Sequence, residues 1–294
     1  MSTTQFLLDN TPLDKVDARV LLGHLLEQHL SWPRSALISK NQEALPFDVI
    51  KEWKAIEQKR LLGTPVAYLL GKKAFHAIEL KVSPAVLIPR PETELLVDLA
   101  IEEVKNQIQQ NPHKQLIRIL DLGTGSGAIA LAIGHHLKTQ NQSSPTIEIL
   151  GLDLSPSALE LANENLHHLG LADQVRFLQS NWFSNIPSGF KNSVDLIISN
   201  PPYIHPDDPH LSQGDLRFEP QDALRDQADG LGCIRTILAD CNQYLSETGW
   251  VAIEHGFEQA DSVCTIMRAN GLRGVRSAPD LAGHLRISMG RKSI

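Results

Sequence analysis

A polar residue, two prolines and an aromatic residue directly follow a short apolar run. The run covers 194–199 and reads as a buried strand, and the residues after it are Asn200, Pro201, Pro202 and Tyr203. Ligands of α/β proteins bind at the carboxyl ends of strands. Prolines fix φ and donate no N–H, so the carbonyl groups here are held rigid and stay free to accept hydrogen bonds. Rigid acceptors beside an aromatic face suit a planar group with an NH2, and we expect these four residues to be catalytic.

A glycine-rich turn follows an earlier apolar strand and leads into a helix. Its residues are Gly123, Thr124, Gly125, Ser126 and Gly127. Glycines supply the turn and let a ligand approach the backbone closely. Many nucleotide enzymes share this feature, and a plain tight turn is the alternative interpretation. We expect these five residues to bind a cofactor.

An acidic residue, Asp153, ends the next predicted strand. It could accept hydrogen bonds from ribose hydroxyls, or it could instead cap the following helix. It lies beyond the usual spacing of about 20 residues, and the polar loop 139–145 accounts for the extra length. The three glycines alternate with single residues and Asp121 precedes them. This order favours S-adenosylmethionine as the ligand over a dinucleotide, whose folds use the spacing Gly-x-Gly-x-x-Gly.

From Leu116 onward, strands and helices alternate regularly. This alternation predicts an α/β fold with a parallel sheet, right-handed crossovers and helices on both faces. Apolar runs predict strands at 116–121, 147–153, 175–179, 194–199 and 249–254. Helical spacing predicts helices near 127–138, 156–168, 229–245 and 257–269. Two late strands, near 272–278 and 284–290, would add an antiparallel edge.

The first 70 residues predict a small helical module. Apolar residues recur at helical spacing over 14–30 and 46–62. Residues 65–90 predict a β-hairpin or an extended connector, and a helix begins near Thr93. The predicted domains are a helical domain at 1–72, a β-hairpin connector at 73–90 and a catalytic domain at 91–294. The helical domain is either a scaffold or a docking domain for a partner.

The composition excludes several classes of protein. The chain has 294 residues and a net charge of −7, whereas a broad nucleic-acid interface needs clustered Lys and Arg. Three cysteines without Cys-x-x-Cys spacing fit a reducing compartment. The start of the chain is not basic and no apolar run approaches about 18 residues, so we expect a cytoplasmic protein without a signal peptide or membrane span. The histidines show no metal-ligand spacing, so we expect no metal site.

Together, these motifs resemble the release factor glutamine methyltransferase family, also called PrmC or HemK. The segments that match in order are 87–94, 121–128, Asp153, 179–183, 200–203, 219–220, 229–231 and 254–256. The segment 87–94 reads Leu-Ile-Pro-Arg-Pro-Glu-Thr-Glu and is the more specific element, because adenine and other amide or amino methyltransferases share the Asn-Pro-Pro-Tyr tetrad. The resemblance covers most of the chain, including the helical module and the hairpin.

The resemblance implies a class I S-adenosylmethionine-dependent methyltransferase with a Rossmann-like sheet, a small N-terminal helical domain and a β-hairpin connector. It implies that 123–127 lines the methionine end and the ribose of the donor, and that Asp153 holds the ribose hydroxyls. Trp182 would pack against the adenine, although it could instead fill the core. The family often has an acid before this tryptophan, and Asn181 stands there instead.

For the acceptor, the resemblance implies that Asn200 and the carbonyl group of Pro201 accept the two amide hydrogens of a glutamine. Asn200 would also border the donor. Tyr203 would stack on the glutamine amide, unless it is a core aromatic. Arg90 and Glu94 would brace the donor pocket or its lid.

The function implied is methyl transfer from S-adenosylmethionine to the glutamine side chain in the Gly-Gly-Gln motif of a peptide chain release factor, with S-adenosylhomocysteine as product. The expected partner is that release factor, without a membrane or direct nucleic-acid binding. Ribosomal-protein glutamine methylation is an alternative. Adenine-N6 methylation of nucleic acid is a less favoured alternative, because it requires a basic target-recognition region and this acidic chain shows none. A non-catalytic adaptor that docks through residues 1–70 is a further alternative.

Overall fold

A computed structural model describes residues 2–138 and 145–293, which form two compact units. The smaller unit contains the chain up to Lys72 together with Ser212–Phe218. The larger unit contains Lys73–Leu211 and Glu219–Ile294. Most of the predicted polar loop at 139–145 lies outside the described residues. Among the helices that are described, none is long and apolar enough to cross a membrane.

The smaller unit is helical. Its helices are α1 (Thr4–Asn10), α2 (Lys15–Leu30), α3 (Ala36–Ser39), α4 (Phe47–Leu61) and α5 (Val66–Leu70). The Asp14 side chain accepts a hydrogen bond from the backbone N–H of Val16 and thereby caps α2. Leu21, Leu25 and Trp53 from α2 and α4 are buried together in the core of this unit. The helices predicted at 14–30 and 46–62 are confirmed to within one residue at each end.

The prediction of an extended segment beginning at residue 65 was wrong for 66–70, which form α5. Pro65 precedes this helix, and Gly71 ends it with φ +67°, so the segment has ordinary helix start and stop signals. The hairpin begins only afterwards and consists of β1 (Lys72–Phe75) and β2 (Ile78–Lys81).

The larger unit is built on a seven-stranded sheet in the order β5-β4-β3-β6-β7-β9-β8. The strands are β3 (Leu116–Leu122), β4 (Thr146–Asp153), β5 (Val175–Gln179), β6 (Val194–Ser199), β7 (Leu245–Glu254), β8 (Arg273–Pro279) and β9 (Leu285–Arg291). The helices are α6 (Glu94–Gln110), α7 (Ala128–Lys138), α8 (Pro156–Leu169), α9 (Gln221–Leu224), α10 (Gly232–Asp240) and α11 (Ala260–Ala269). β3 to β7 run parallel, while β9 is antiparallel to both β7 and β8, which confirms the predicted antiparallel edge.

Side chains of β3 alternate between two apolar layers. Ile117 and Ile119 join the layer that includes α6 and α7, whereas Leu120 and Leu122 join the layer that includes α10 and α11. A sheet that is covered on both faces needs apolar residues on both sides of each strand. This requirement explains the continuous apolar runs in the sequence.

The helix predicted at 229–245 is shorter than expected, and the strand predicted at 249–254 is longer. Only 232–240 is α-helical, because the backbone N–H groups just before it are bound by the Asp226 carboxylate. β7 begins at Leu245, which pairs with Val194 before a register irregularity. The predicted boundary was misplaced because the polar residues after Leu245 do not resemble a buried strand.

The register of the sheet brings the ends of four strands together. Leu122 pairs with Leu152 on one side and with Ser199 on the other. Ser199 in turn pairs with Ile253. The chain order reverses between β3 and β6, and ligands of open α/β sheets bind at such a switch point. The residues that follow these pairs are therefore the candidates for a functional site.

Candidate active site

The glycine-rich loop leaves β3 in a conformation that favours glycine. Gly123, Gly125 and Gly127 have φ values of +74°, +56° and +82°. The N–H groups of Gly123 and Thr124 both donate to the carbonyl group of Leu152, at 2.8 and 2.9 Å. These bonds attach the start of the loop to the neighbouring strand, so its position follows from the sheet.

The three glycines face different surroundings. A Cβ atom at Gly127 would lie 2.8 Å from Cζ of Phe177, so this glycine permits close packing. A Cβ atom at Gly123 would lie 3.7 Å from the Trp182 ring. A Cβ atom at Gly125 would have no described atom within 4 Å. The loop therefore presents open space at its centre, with a tryptophan ring beside its first glycine.

Asp121 and Thr124 support the loop from within. Thr124 Oγ1 donates to Asp121 Oδ2 at 2.6 Å, and the Ala130 N–H donates to the same oxygen at 3.3 Å. Burial raises the pKa of the Asp121 carboxyl to about 7, although these hydrogen bonds oppose the shift. Thr124, which we predict to bind a cofactor, thus has its hydroxyl group engaged inside the protein. Ser126 is buried, and its carbonyl group accepts from Asn165 Nδ2 at 3.0 Å.

Asp153 lies at the end of β4 beside the loop. Its Oδ2 accepts from the N–H of Gly125 at 2.8 Å, and its Oδ1 accepts from the N–H of Ser155 at 2.9 Å. Burial raises the pKa of this carboxyl, and the backbone hydrogen bonds partly offset the shift. The cap of α8 is the Ser155 hydroxyl, which accepts from the Ala158 N–H. Each Asp153 oxygen keeps a second lone pair with which it can accept from a hydroxyl group.

Trp182 is held in an unusual backbone conformation, with φ +49°. The Ser180 hydroxyl fixes this turn, because it donates to the Trp182 carbonyl at 2.7 Å and accepts from the Asn185 N–H at 3.0 Å. The half-buried ring packs against the apolar layer that contains Phe183, while its edge faces Gly123. Asn181 is exposed. The tryptophan therefore belongs partly to the core and partly to the site.

Asn200 follows β6, whose six residues are all buried. Its Nδ2 donates to Oγ1 of Thr93 at 3.1 Å. Pro201 is buried, and within the described residues its carbonyl group receives no hydrogen bond. Because Leu122 pairs with Ser199, the glycine-rich loop and Asn200 leave the sheet side by side. The structure thus brings the predicted catalytic and cofactor-binding segments to the same edge.

Tyr203 is half-buried, and its carbonyl group accepts from Gln259 Nε2 at 3.1 Å. Burial raises the pKa of its phenol, and the negative charge of Glu254 raises it further. The phenol therefore stays protonated at neutral pH and cannot serve there as a base.

Sequence reasoning did not identify Gln259 as a site residue. Its Nε2 also donates to the carbonyl group of Gly230 at 3.0 Å, and its Oε1 accepts from the Gly256 N–H at 2.8 Å. One side chain thus joins the loops after β6 and β7 to the segment before α10. The sequence gives little indication of this role, since a glutamine near the start of a helix is usually exposed.

The resemblance implies that Arg90 and Glu94 brace the donor pocket or its lid, and in the structure each binds a separate partner. Arg90 forms an ion pair with Glu219, whose other carboxylate oxygen accepts from the Ile88 N–H at 3.0 Å. Glu94 Oε1 accepts from the N–H of His76 at 3.0 Å. Glu219 is buried, so this pairing fixes the proline-rich segment before α6 against the loop that follows β6.

Two family models match the chain. A methyltransferase domain matches residues 113–270, and the PrmC N-terminal domain matches residues 2–71. The release factor glutamine methyltransferases of Aliivibrio fischeri and Burkholderia pseudomallei are 38% and 40% identical to this chain. These alignments cover 99% of this chain and 94% and 96% of the two relatives.

Among solved structures, the hMettl16 catalytic domain in complex with a MAT2A 3′UTR hairpin matches with a TM-score of 0.55. It is 16% identical, and the match covers 81% of both chains, which shows a shared fold alone. The predicted methyltransferase fold and the predicted family are confirmed, and the methyltransferase domain implies chemistry that depends on S-adenosylmethionine. The chain belongs to the release factor glutamine methyltransferase family.

Proposed function

We propose that this chain transfers a methyl group to the side-chain amide nitrogen of the glutamine in the Gly-Gly-Gln motif of a peptide chain release factor. The donor is S-adenosylmethionine and the product is S-adenosylhomocysteine. The full-length likeness to relatives named release factor glutamine methyltransferases is the observation that carries this choice of substrate. The position of Asn200 beside the glycine-rich loop supports the chemistry.

The residues around the loop fit an adenosine-bearing donor. Open space over Gly125 leaves room for a ligand against the backbone, and Asp153 has lone pairs for ribose hydroxyls. The Trp182 ring offers a flat surface beside Gly123 for an adenine. When bound there, the donor supplies a methyl group on a positively charged sulfur.

Asn200 and Pro201 would activate the acceptor amide. An amide nitrogen is a poor nucleophile, because its lone pair is delocalised into the carbonyl group. Two fixed carbonyl oxygens, Asn200 Oδ1 and the oxygen of Pro201, accept its two hydrogens and orient the nitrogen. Positive charge grows on this nitrogen during attack, so fixed dipoles stabilise the transition state more than the ground state. Tyr203 would stack on the amide plane.

No side-chain base has to act before the transfer, because the amide proton becomes far more acidic once the nitrogen carries the methyl group. The buried phenol of Tyr203 stays neutral. The contribution of the protein is therefore placement and electrostatic stabilisation. We expect methyl transfer to be independent of added metal ions.

Mass spectrometry of a release factor incubated with the enzyme and the donor tests this function. The expected result is a gain of about 14 Da, one methyl group in place of a hydrogen, on the glutamine of the Gly-Gly-Gln motif alone. Parallel reactions contain ribosomal proteins or adenine-containing DNA. A methylated ribosomal protein or a methylated adenine, with an unmodified release factor, would contradict the proposal.

A further inference from the structure

Glu254 is a buried carboxylate that the mechanism above does not use. It ends β7 one residue after Ile253, which pairs with Ser199, so it lies beside Asn200. Only 2% of its surface is exposed. Its Oε2 has no hydrogen-bond partner among residues 2–138 and 145–293. A buried carboxylate oxygen without a partner lowers the stability of the fold, which points to a role other than stability.

Thr93 connects Glu254 to Asn200. The Thr93 side chain is buried, and its Oγ1 accepts from Asn200 Nδ2 at 3.1 Å. Hydrogen bonds from the Thr93 and Asn200 side chains also favour the charged form of Glu254. The buried Thr93 and Glu254 side chains therefore form one polar group with the Asn200 amide.

The chemistry of these groups sets the direction of their hydrogen bonds. A carboxylate only accepts, whereas a threonine hydroxyl has a single proton to donate. When Thr93 donates this proton to Glu254, its oxygen must accept from the Asn200 amide. The NH2 end of that amide is then turned inward and Oδ1 is turned outward. The opposite orientation would present an NH2 group to the substrate, and two NH2 groups cannot bond to each other productively.

We propose that Glu254 and Thr93 are positioning residues, which fix the orientation of the Asn200 amide so that its oxygen faces the methyl acceptor. This inference rests on the proposed function for the identity of the acceptor as an NH2 group. The orientation of the Asn200 amide itself can be measured without substrate.

The charge of Glu254 makes the orientation of the Asn200 amide depend on pH. Its carboxyl faces Arg286 at the start of β9, Glu92 in the turn before α6 and the phenol of Tyr203, and His255 follows it in the chain. Burial raises its pKa to about 7. Below that pH the protonated carboxyl can donate to Thr93, so the orientation of Asn200 is no longer imposed. Turnover should therefore rise as the pH increases through about 7.

Three variants test the proposal through kcat, the pH profile and the donor affinity. Thr93→Val removes the hydroxyl at nearly constant volume, and we expect kcat to fall at least about 10-fold with donor affinity within about 2-fold. Thr93→Ser keeps the hydroxyl and should retain most of kcat. Glu254→Gln should lower kcat and abolish its rise near neutral pH. Glu103→Gln, at a buried carboxyl that pairs with Arg291, is the matched control and should keep the wild-type profile.

An NMR measurement separates this inference from the proposed function. In wild type the side-chain NH2 of Asn200 should exchange slowly with solvent, and its signal should shift as Glu254 titrates. Thr93→Val should speed that exchange. An unchanged Asn200 signal in Thr93→Val overturns the positioning role, whatever the enzyme methylates. Wild-type kcat and an unaltered pH profile in both Thr93→Val and Glu254→Gln would overturn it equally, while the proposed function would stand.

Discussion

Single glycines in the loop after β3 have separable tasks. At Gly127 an added Cβ would lie 2.8 Å from Phe177 and 2.9 Å from Leu131, so these two side chains would have to shift. At Gly125 no described atom lies within 4 Å of such a Cβ. Packing therefore explains the glycine at 127. The glycine at 125 is explained by close approach of a ligand to the backbone.

This difference predicts that alanine at 125 mainly weakens donor binding, whereas alanine at 127 mainly lowers stability. Gly125→Ala should lower the unfolding free energy by only about 1–2 kcal/mol, the cost of a left-handed conformation, yet weaken donor binding at least about 10-fold. Gly127→Ala adds a clash to the same strain, so it should cost more stability, about 2–4 kcal/mol. Urea unfolding and calorimetry with S-adenosylhomocysteine measure both quantities. Undiminished donor affinity in Gly125→Ala would contradict the donor site.

The residues at strand ends could be found from sequence, whereas their supports could not. Asn200 and Asp153 directly follow apolar runs, and parallel strands bring such positions to one edge. Thr93 and Gln259 reach the site from distant parts of the chain. No local pattern distinguishes a buried threonine or a glutamine that contacts three loops from an ordinary one. The proximity of Glu254 to Asn200 emerges only from the register of β6 and β7.

At the scale of elements, the segment before α10 depends on one carboxylate. Asp226 Oδ2 accepts from the N–H groups of Gly230 and Gly232 at 2.9 and 3.0 Å, and Oδ1 accepts from the Cys233 N–H at 2.9 Å. Its side chain thus gathers the loop and binds N–H groups at the start of α10, whose preceding residue Leu231 provides no side-chain cap.

Asp226→Ala should therefore destabilise the protein by about 2–4 kcal/mol, because several N–H groups lose a buried acceptor at about 1–3 kcal/mol each and some regain water. Hydrogen exchange of the Gly230 and Gly232 amides should accelerate. Asp222→Ala, at an exposed carboxylate in α9, is the matched control and should change stability by less than about 0.5 kcal/mol. Equal effects of the two substitutions on the unfolding free energy would refute the capping role.

The regular part of the fold was predictable because strands covered on both faces are apolar throughout. β5 and β6 were predicted with their observed bounds. Errors arose where a side chain far along the sequence controls the backbone, as Asp226 does before α10. A further error arose at α5, where a short apolar segment of 66–70 fits either a strand or a helix.

At the scale of the whole molecule, the chain divides unevenly between its two units. Ser212–Phe218 comes late in the sequence but belongs to the helical unit. Within that unit, Arg60 donates to Asp17 at 2.7 Å, to Asp215 at 3.0 Å and to the Thr64 carbonyl at 3.1 Å. The guanidinium group of Arg60 on α4 thus links α2 to a segment that lies 155 residues further along the chain. A planar group with five donors is suited to bind several acceptors at once.

Arg60→Gln should loosen the segment Ser212–Phe218. The free energy needed to open this segment should fall by about 1 kcal/mol. Trypsin should therefore cleave after the exposed Arg217 roughly 5-fold faster, with donor affinity unchanged. Arg235→Gln is the control, since it removes an ion pair with Asp229 within the larger unit. Peptide mapping by mass spectrometry measures the cleavage rate. Equal rates for Arg60→Gln and wild type would show that Arg60 does not restrain the segment.

The central claim is that the Asn200 side chain acts on the acceptor amide and contributes little to binding of the donor. The most direct test pairs calorimetry of S-adenosylhomocysteine binding with a methyl-transfer assay on Asn200→Ala. Asn163→Ala, at a half-buried asparagine on α8, serves as the control. We predict that Asn200→Ala abolishes methyl transfer and leaves donor affinity within a few-fold of wild type. A loss of donor affinity in proportion to the loss of activity would contradict the account.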